Sequence, residues 1–291
     1  MYKIIHKQVI AQDIKKIDIT APAIAARALP GQFVMVTPVE GEHNIPMTII
    51  DSDERRSVVS LLVHEVGPAT RKLGDLSIGE SIYQMVGPLG RGAEMDKYGL
   101  VICVATGIGA AQILPICRGL KKKGNKVIGI IGAKSKKVLM LESQMRVVCD
   151  EIFITTNDGS YERKGLATSL LKELLNKYTV QRVYAIGSVE MMQVSAQMTK
   201  EKNIPIRVTL SPYMVNGLGL CGSCRVKIDG QYRLACIDGP EFDGHLVDYQ
   251  DLSQRMNTLE YRSWENLAPP VSPKRPGFAI FVKSLWGSSK K

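Results

Sequence analysis

The sequence predicts an antiparallel β-barrel followed by an α/β domain built on a doubly wound parallel sheet, with a small cysteine-rich segment behind it. Three observations carry that prediction. Residues 1–97 read as short β-branched or alternating stretches separated by Gly, Pro, Asp and Asn turns, the pattern of an antiparallel sheet. From Tyr98 the pattern becomes strand, glycine turn, helix, repeated, which argues for a parallel sheet covered by helices. After Pro212 the periodicity stops, and residues 214–248 are rich in Gly, Cys and Asp.

In the first domain, 1–97, strands are expected over 3–10, 16–20, 32–38, 47–51 and 57–63, with sharp turns at 74–79 and 87–92. In the second, 98–210, residues 100–105 form a buried-strand run and 107–124 a turn with its helix. Strands at 126–131 and 151–155, a helix at 164–177 and a fourth strand at 182–186 follow. The third segment, 211–250, lacks the apolar content for a core of its own, so a metal centre is the expected staple. The last, 251–291, is expected to be a helix and tail able to dock. A polar helix over 249–267 is broken by the Pro-rich stretch 269–276. The apolar end from Phe278 to Trp286 suits a partner subunit and the protein's own surface equally well.

Composition narrows the function classes. At 45% hydrophobic and 23% charged residues the chain is ordinary for a folded protein. A net charge of +10 invites a nucleic-acid reading. Yet Lys121, Lys122 and Lys123 close a helix, Lys134, Lys136 and Lys137 sit in a loop, and Lys274, Arg275, Lys290 and Lys291 lie in the tail. None of these runs is interleaved with aromatics, which argues against nucleic acid and leaves an acidic redox partner or a dinucleotide phosphate. No apolar run approaches the roughly 20 residues of a membrane span, and the N-terminus lacks the apolar stretch of a signal peptide. A cytoplasmic protein without a membrane span is expected. Cys103, Cys117 and Cys149 stand isolated in apolar surroundings and read as buried packing residues, while the other three cysteines cluster between 221 and 236.

Three motifs carry chemistry. Thr106-Gly-Ile-Gly109 follows a strand and opens a helix, where a pyrophosphate can meet backbone N–H groups and a positive helix end. Gly107 and Gly109 let the backbone approach it, although tight packing alone also asks for small residues there. Gly187-Ser188, with Met191 and Met192, ends the fourth strand on the same sheet edge, where ligands bind in open parallel sheets. Cys221-Gly-Ser-Cys224, with Cys236 beyond, places thiolates on one metal or cluster. Zinc would need a fourth ligand, for which His245 is poorly placed. Free thiols are the remaining alternative.

Together and in this order, these residues resemble the ferredoxin–NADP reductase superfamily. More narrowly, residues 1–250 resemble the small electron-transfer subunits of dihydroorotate dehydrogenase and of NADH-dependent ferredoxin:NADP oxidoreductase, also called sulfide dehydrogenase. The resemblance implies FAD on the barrel. Ile45-Pro46-Met47-Thr48 stands where the family has Arg-Pro-x-Ser, with Leu62, Val63, His64, Ala69 and Thr70 as its neighbours and Gly87-Pro-Leu-Gly90 as the closing turn. It implies NAD(H) at Thr106, Gly107, Gly109, Asp158, Gly187 and Met191. It also implies a [2Fe-2S] cluster on Cys221, Cys224 and Cys236, with Asn216 at the position of the first ligand. That ligand is cysteine in the dihydroorotate branch and aspartate in the other. A neutral Asn216 would raise the cluster potential and weaken retention; water or Asp229 could complete the shell instead.

A hydride carries two electrons and a cluster one, and flavin is the group that divides the pair. The expected function is therefore an electron-transfer subunit moving electrons between NAD(H), FAD and the cluster, to or from a larger flavo-iron–sulfur subunit in a heterodimer that connects to ferredoxin. No side-chain acid, base or nucleophile is required. The runner-up is the electron-input subunit of a dihydroorotate dehydrogenase. From another class comes a nicotinamide-binding module without a functional cluster.

Overall fold

The computed structural model describes residues 2–260. The Pro-rich stretch 269–276, the apolar end from Phe278 to Trp286 and the last part of the expected polar helix lie outside the described residues.

Seven strands open the chain: β1 (Tyr2–Ala11), β2 (Ile14–Thr20), β3 (Phe33–Thr37), β4 (Ile45–Asp53), β5 (Val58–His64), β6 (Ser81–Ile82) and β7 (Gln84–Leu89). Two helices interrupt them, α1 (Pro22–Ala25) and α2 (Pro68–Asp75). Every pairing in this sheet is antiparallel, in the order β6-β1-β2-β5-β4-β3-β7. Only Tyr83 separates the two outermost strands, so the sheet curls on itself into a nearly closed barrel, helped by bulges in β1, β4 and β7. Ile4, Ile17, Ile19, Val34, Val36, Leu61 and Val63 fill its interior. The expected turn at 74 is instead the last part of α2, which Pro68 starts after the extended Gly67. Gly74 is there for packing: a Cβ on it would overlap the Glu65 carboxylate, which pairs with Lys15 at 2.6 Å.

The parallel sheet follows with β8 (Leu100–Thr106), β9 (Lys126–Ala133), β10 (Glu151–Thr156), β11 (Arg163–Lys164), β12 (Arg182–Ile186) and β13 (Ile206–Thr209). Helices α3 (Gly109–Lys122), α4 (Glu142–Val148), α5 (Ala167–Lys177) and α6 (Val189–Glu201) connect them. Residues 101–105 are wholly buried, as a strand covered by helices on both faces must be. The helix expected from 164 begins at Ala167, because Gly165 adopts φ +137° and residues 163–164 pair with β10. Neither α4 nor β13 was expected. The first starts from Leu141 in a left-handed conformation that no cap residue announces, and the second is only four residues long.

In the third segment Asp229-Gly230 turns the hairpin of β14 (Arg225–Ile228) and β15 (Gln231–Leu234), with both residues at positive φ. After α7 (Ala235–Asp238), β16 (Glu241–Asp243) runs antiparallel to β13 and becomes the edge of the second sheet. The segment thus completes its apolar burial, with Val226, Ala235 and Phe242 at most 7% exposed, by borrowing that sheet. Helix α8 (Tyr249–Glu260) ends the described chain. No helix among the described residues is long and apolar enough to cross a membrane.

Where β16 joins, Glu94 from the connection between the sheets pairs with Arg182 (2.7 Å) and Arg207, and its N–H donates to Glu241 Oε1 at 2.9 Å. Glu241 Oε2 finds no hydrogen-bond partner among the described residues. Burial pushes this carboxyl up to about 7, against the opposing pull of Arg207 and Arg182. Because the folded value lies above the unfolded one, the stability linked to Glu241 is complete below about pH 4.5 and is lost as pH rises through 7. Glu241→Gln removes the ionisation, so chemical denaturation near pH 8 is expected to show the variant about 2 kcal/mol more stable than the parent, with the gap closing towards pH 5. An equal gap at both pH values would contradict the assignment.

Candidate functional site

The order β11-β10-β9-β8-β12-β13-β16 reverses between β8 and β12, so a crevice opens at the C-terminal ends of those two strands. Both expected glycine loops lie there. Gly107 has φ +54° and nothing within 4 Å of where a Cβ would stand, so its backbone faces open space. Gly109 serves a different need: its Cβ would fall 2.4 Å from the Ile186 carbonyl oxygen, and only glycine lets α3 start this close to β12. A Cβ on Gly187 would lie 2.0 Å from Thr106 Oγ1, so the two loops touch. Ser188 caps α6 by accepting the Met191 N–H at 3.2 Å. Met191 and Met192 are both buried. Further along the edge, Asp158 Oδ1 accepts the Ser160 N–H at 2.9 Å, and that serine holds the carboxyl below its ordinary range. Lys136 lies 4.6 Å from the Tyr161 ring centre, a cation–π contact.

Beside the crevice is a cleft of about 290 Å³ between the barrel, the first turn of α3 and residues 209–214. Pro46, Met47, Thr48, Leu62, His64 and Thr70 form its barrel side. The other expected flavin-side residues stand elsewhere. Val63 is fully buried in the barrel interior, Ile45 packs against that interior, and Gly87 lies where a Cβ would meet Val34 at 2.7 Å. Ala69 sits beside Thr70 on α2 and does not line the cleft. Sequence reasoning missed Gln112, which donates from Nε2 to Thr48 Oγ1 (3.1 Å) and to Ser211 Oγ (3.4 Å). Its one signal was a carboxamide on a helix whose neighbours Ala111, Ile113 and Leu114 are buried.

From Ser211 the chain runs directly into the cysteine loop. Gly217, Gly219 and Gly222 all take positive φ (+71°, +78°, +67°), which coils the backbone into a tight loop. A Cβ on Gly217 would sit 2.6 Å from Met35 Cγ, so the loop rests on barrel strand β3. Cys224 and Cys236 are each 2% exposed with their sulfurs 3.2 Å apart. Cys221 is exposed at the loop tip, 3.1 Å from Ser223 Oγ. Hydrogen bonds from Ser223 and from surrounding N–H groups, that of Asn216 included, bring its thiol down to about 7. Burial and the neighbouring Cys224 thiol push Cys236 up to about 11. Asn216 Oδ1 accepts the Leu218 N–H at 3.0 Å. Asp229 lies at the far turn of the hairpin, whereas the cysteines flank its Arg225–Leu234 end, so it cannot complete their shell. His245 is engaged with Thr199 at 3.0 Å.

Residues 211–248 match the family model of the iron–sulfur cluster binding domain of dihydroorotate dehydrogenase B. The chain is 35% identical over 266 residues to a Thermotoga maritima protein named as a homologue of the electron transfer subunit of dihydroorotate dehydrogenase B (NAD(+)), covering 91% of this chain and 93% of that one. The chain belongs to the dihydroorotate dehydrogenase B electron-transfer subunit family. A Clostridium beijerinckii relative in the adh 3′ region, called only uncharacterized, is 38% identical over 264 residues, 88% of this chain and 89% of that one. Among solved structures, a chain of the NADH-dependent reduced ferredoxin-NADP oxidoreductase, studied for flavin-based electron bifurcation, superposes with a TM-score of 0.85 at 34% identity. It covers 91% of this chain and 97% of its own length.

For a member of this electron-transfer subunit family the fold expectation holds: barrel, doubly wound sheet and C-terminal iron–sulfur binding domain are all present. The donor set fits an iron–sulfur group. Two thiols of the glycine-coiled loop and that of Cys236 on α7 stand at the same end of the hairpin, Cys224 and Cys236 as a buried pair with sulfurs 3.2 Å apart, and thiolates are the ligands iron–sulfur clusters use. The cleft likewise fits a flavin, with an apolar barrel wall and the hydroxyls of Thr48 and Ser211 converging on it.

Proposed function

We propose that this chain exchanges hydride with NAD(H) and passes electrons through FAD and a [2Fe-2S] cluster to or from a larger flavo-iron–sulfur subunit, as a cytoplasmic flavin-dependent NAD(P)H oxidoreductase subunit. The observation that supports it most is the cleft in which Thr48 of the barrel, Gln112 of the nucleotide domain and Ser211 of the cysteine segment meet. A flavin bound there would adjoin both the glycine loops and the cysteine loop. When bound, flavin takes up two electrons as hydride and releases them singly.

The residues divide the work accordingly. Thr106, Gly107, Gly109 and Gly187 present backbone N–H groups and space to the nicotinamide dinucleotide, with Asp158 and Met191 at its margins. Pro46, Met47, Thr48, Leu62, His64 and Thr70 hold the flavin and exclude water. Cys221, Cys224 and Cys236 hold the cluster, with Asn216 beside Cys221 at the fourth position. The partner reading draws on the relatives named as electron-transfer subunits. It draws also on Leu218 (47%), Leu220 (81%) and Ile237 (45%), apolar side chains exposed around the cysteine loop.

Anaerobic purification followed by quantification of flavin, iron and acid-labile sulfide tests the proposal. Flavin with two irons and two sulfides per chain, bleached by NADH, is the expected result. Flavin without iron, in protein kept from air, would point to a nicotinamide-binding module instead, a reading that the engaged Asn216 amide favours.

A further inference from the structure

Gln112 belongs to no motif, yet it is the side chain on which three segments converge. It stands on the first turn of α3, half-buried, and its amide nitrogen donates to a barrel hydroxyl and to the first hydroxyl of the cysteine segment. A second tie, Arg118 to Asp51 at 3.2 Å, fixes the same helix over the same strand β4. The carboxamide is therefore held over Thr48 by the helix position as well as by its rotamer.

The bond has a direction. Thr48 Oγ1 accepts from Gln112, so its own O–H remains available to donate. A hydroxyl that accepts a hydrogen bond is also a stronger donor, because bonds in series polarise one another. Thr48 lines the cleft, and so does Ser211. Oxidised flavin presents ring nitrogens that accept hydrogen bonds, and reduction adds hydrogen there and turns acceptor into donor. A hydroxyl primed to donate favours the oxidised ring.

We propose that Gln112 is a positioning residue which, acting through Thr48, biases the flavin toward its oxidised state and thereby sets how readily the flavin gives up its electrons. This rests on the reading that flavin occupies the cleft.

The test is the flavin midpoint potential of full-length, anaerobically purified protein, read from absorbance at fixed NADH/NAD⁺ ratios. In Gln112→Met, which keeps chain length but cannot donate, the ratio of reduced to oxidised flavin is expected to rise about fivefold, or about 20 mV for a two-electron couple. Thr48→Val should shift it in the same direction, and adding Gln112→Met to Thr48→Val should change nothing more, because the effect passes through one hydroxyl. Gln112→Leu, equally unable to donate and without added charge, should move the ratio as Gln112→Met does and guards against a packing artefact of the methionine. An unshifted potential in Gln112→Met and Gln112→Leu, with a shifted one in Thr48→Val, overturns this inference and leaves the flavin placement standing. A potential indifferent to Thr48→Val as well overturns both.

Discussion

Replacing Cys224 or Cys236 by alanine is expected to strip the protein of iron, with at least a roughly tenfold fall in iron and sulfide per chain after anaerobic purification. Both sulfurs are buried and lie 3.2 Å apart. Water cannot readily replace a missing thiolate at so buried a position. Cys221 differs, being exposed at the loop tip with its thiol already brought down to about 7. Cys221→Ser should retain part of the iron, since a hydroxyl in the same place remains within reach of solvent and metal alike. The flavin spectrum should be unchanged throughout, because the cleft is lined by other residues. Full iron content in Cys224→Ala would remove this residue from the ligand set and return the loop to a packing role.

How much of this was legible in the sequence depends on how local the cause was. Alternating strands and buried-strand runs were readable because side-chain periodicity is set within a few residues. So was the need for a small residue at 107, where φ is +54° within the turn itself, whereas Gly109 answers to the Ile186 carbonyl of β12, far away in sequence. Strand β5 shows the limit. Residues 58–63 are all buried, and with no alternation to read, nothing in the sequence tells that Leu62 faces the cleft while Val63 faces the barrel interior. Gly74 read as a turn because its reason, the carboxylate of Glu65 just past the end of β5, meets α2 only across the fold. Gln112 was invisible for the same cause: its partners, Thr48 and Ser211, come from either side of it in sequence and are brought to it only by the fold. Strand β16 adds to the nucleotide-domain sheet from a segment read as separate, since edge pairing with β13 leaves no periodic trace in three residues.

Gly109→Ala is expected to act on the opposite side of the crevice and with comparable force. The new Cβ would stand 2.4 Å from the backbone oxygen of Ile186, an atom that cannot rotate away. Either α3 lifts from β12 or the strand end moves, at about 3 kcal/mol for overpacking of this severity. Lifting α3 also displaces the N–H groups of its first turn, which form the expected anion site, so NADH affinity should fall at least about tenfold, the affinity equivalent of only 1.4 kcal/mol. Gly107→Ala is the control for stability, for it places a Cβ where nothing of the protein stands within 4 Å and pays only for φ +54°, about 1 kcal/mol, so any loss of NADH affinity it shows comes from filling the space offered to the dinucleotide and not from moving α3. Thermal unfolding and NADH titration of both variants separate the two glycines. Should Gly109→Ala melt and bind like the parent, the close approach of α3 to β12 is not what shapes the dinucleotide site, and the assignment of Thr106–Gly109 to the pyrophosphate loses its physical basis.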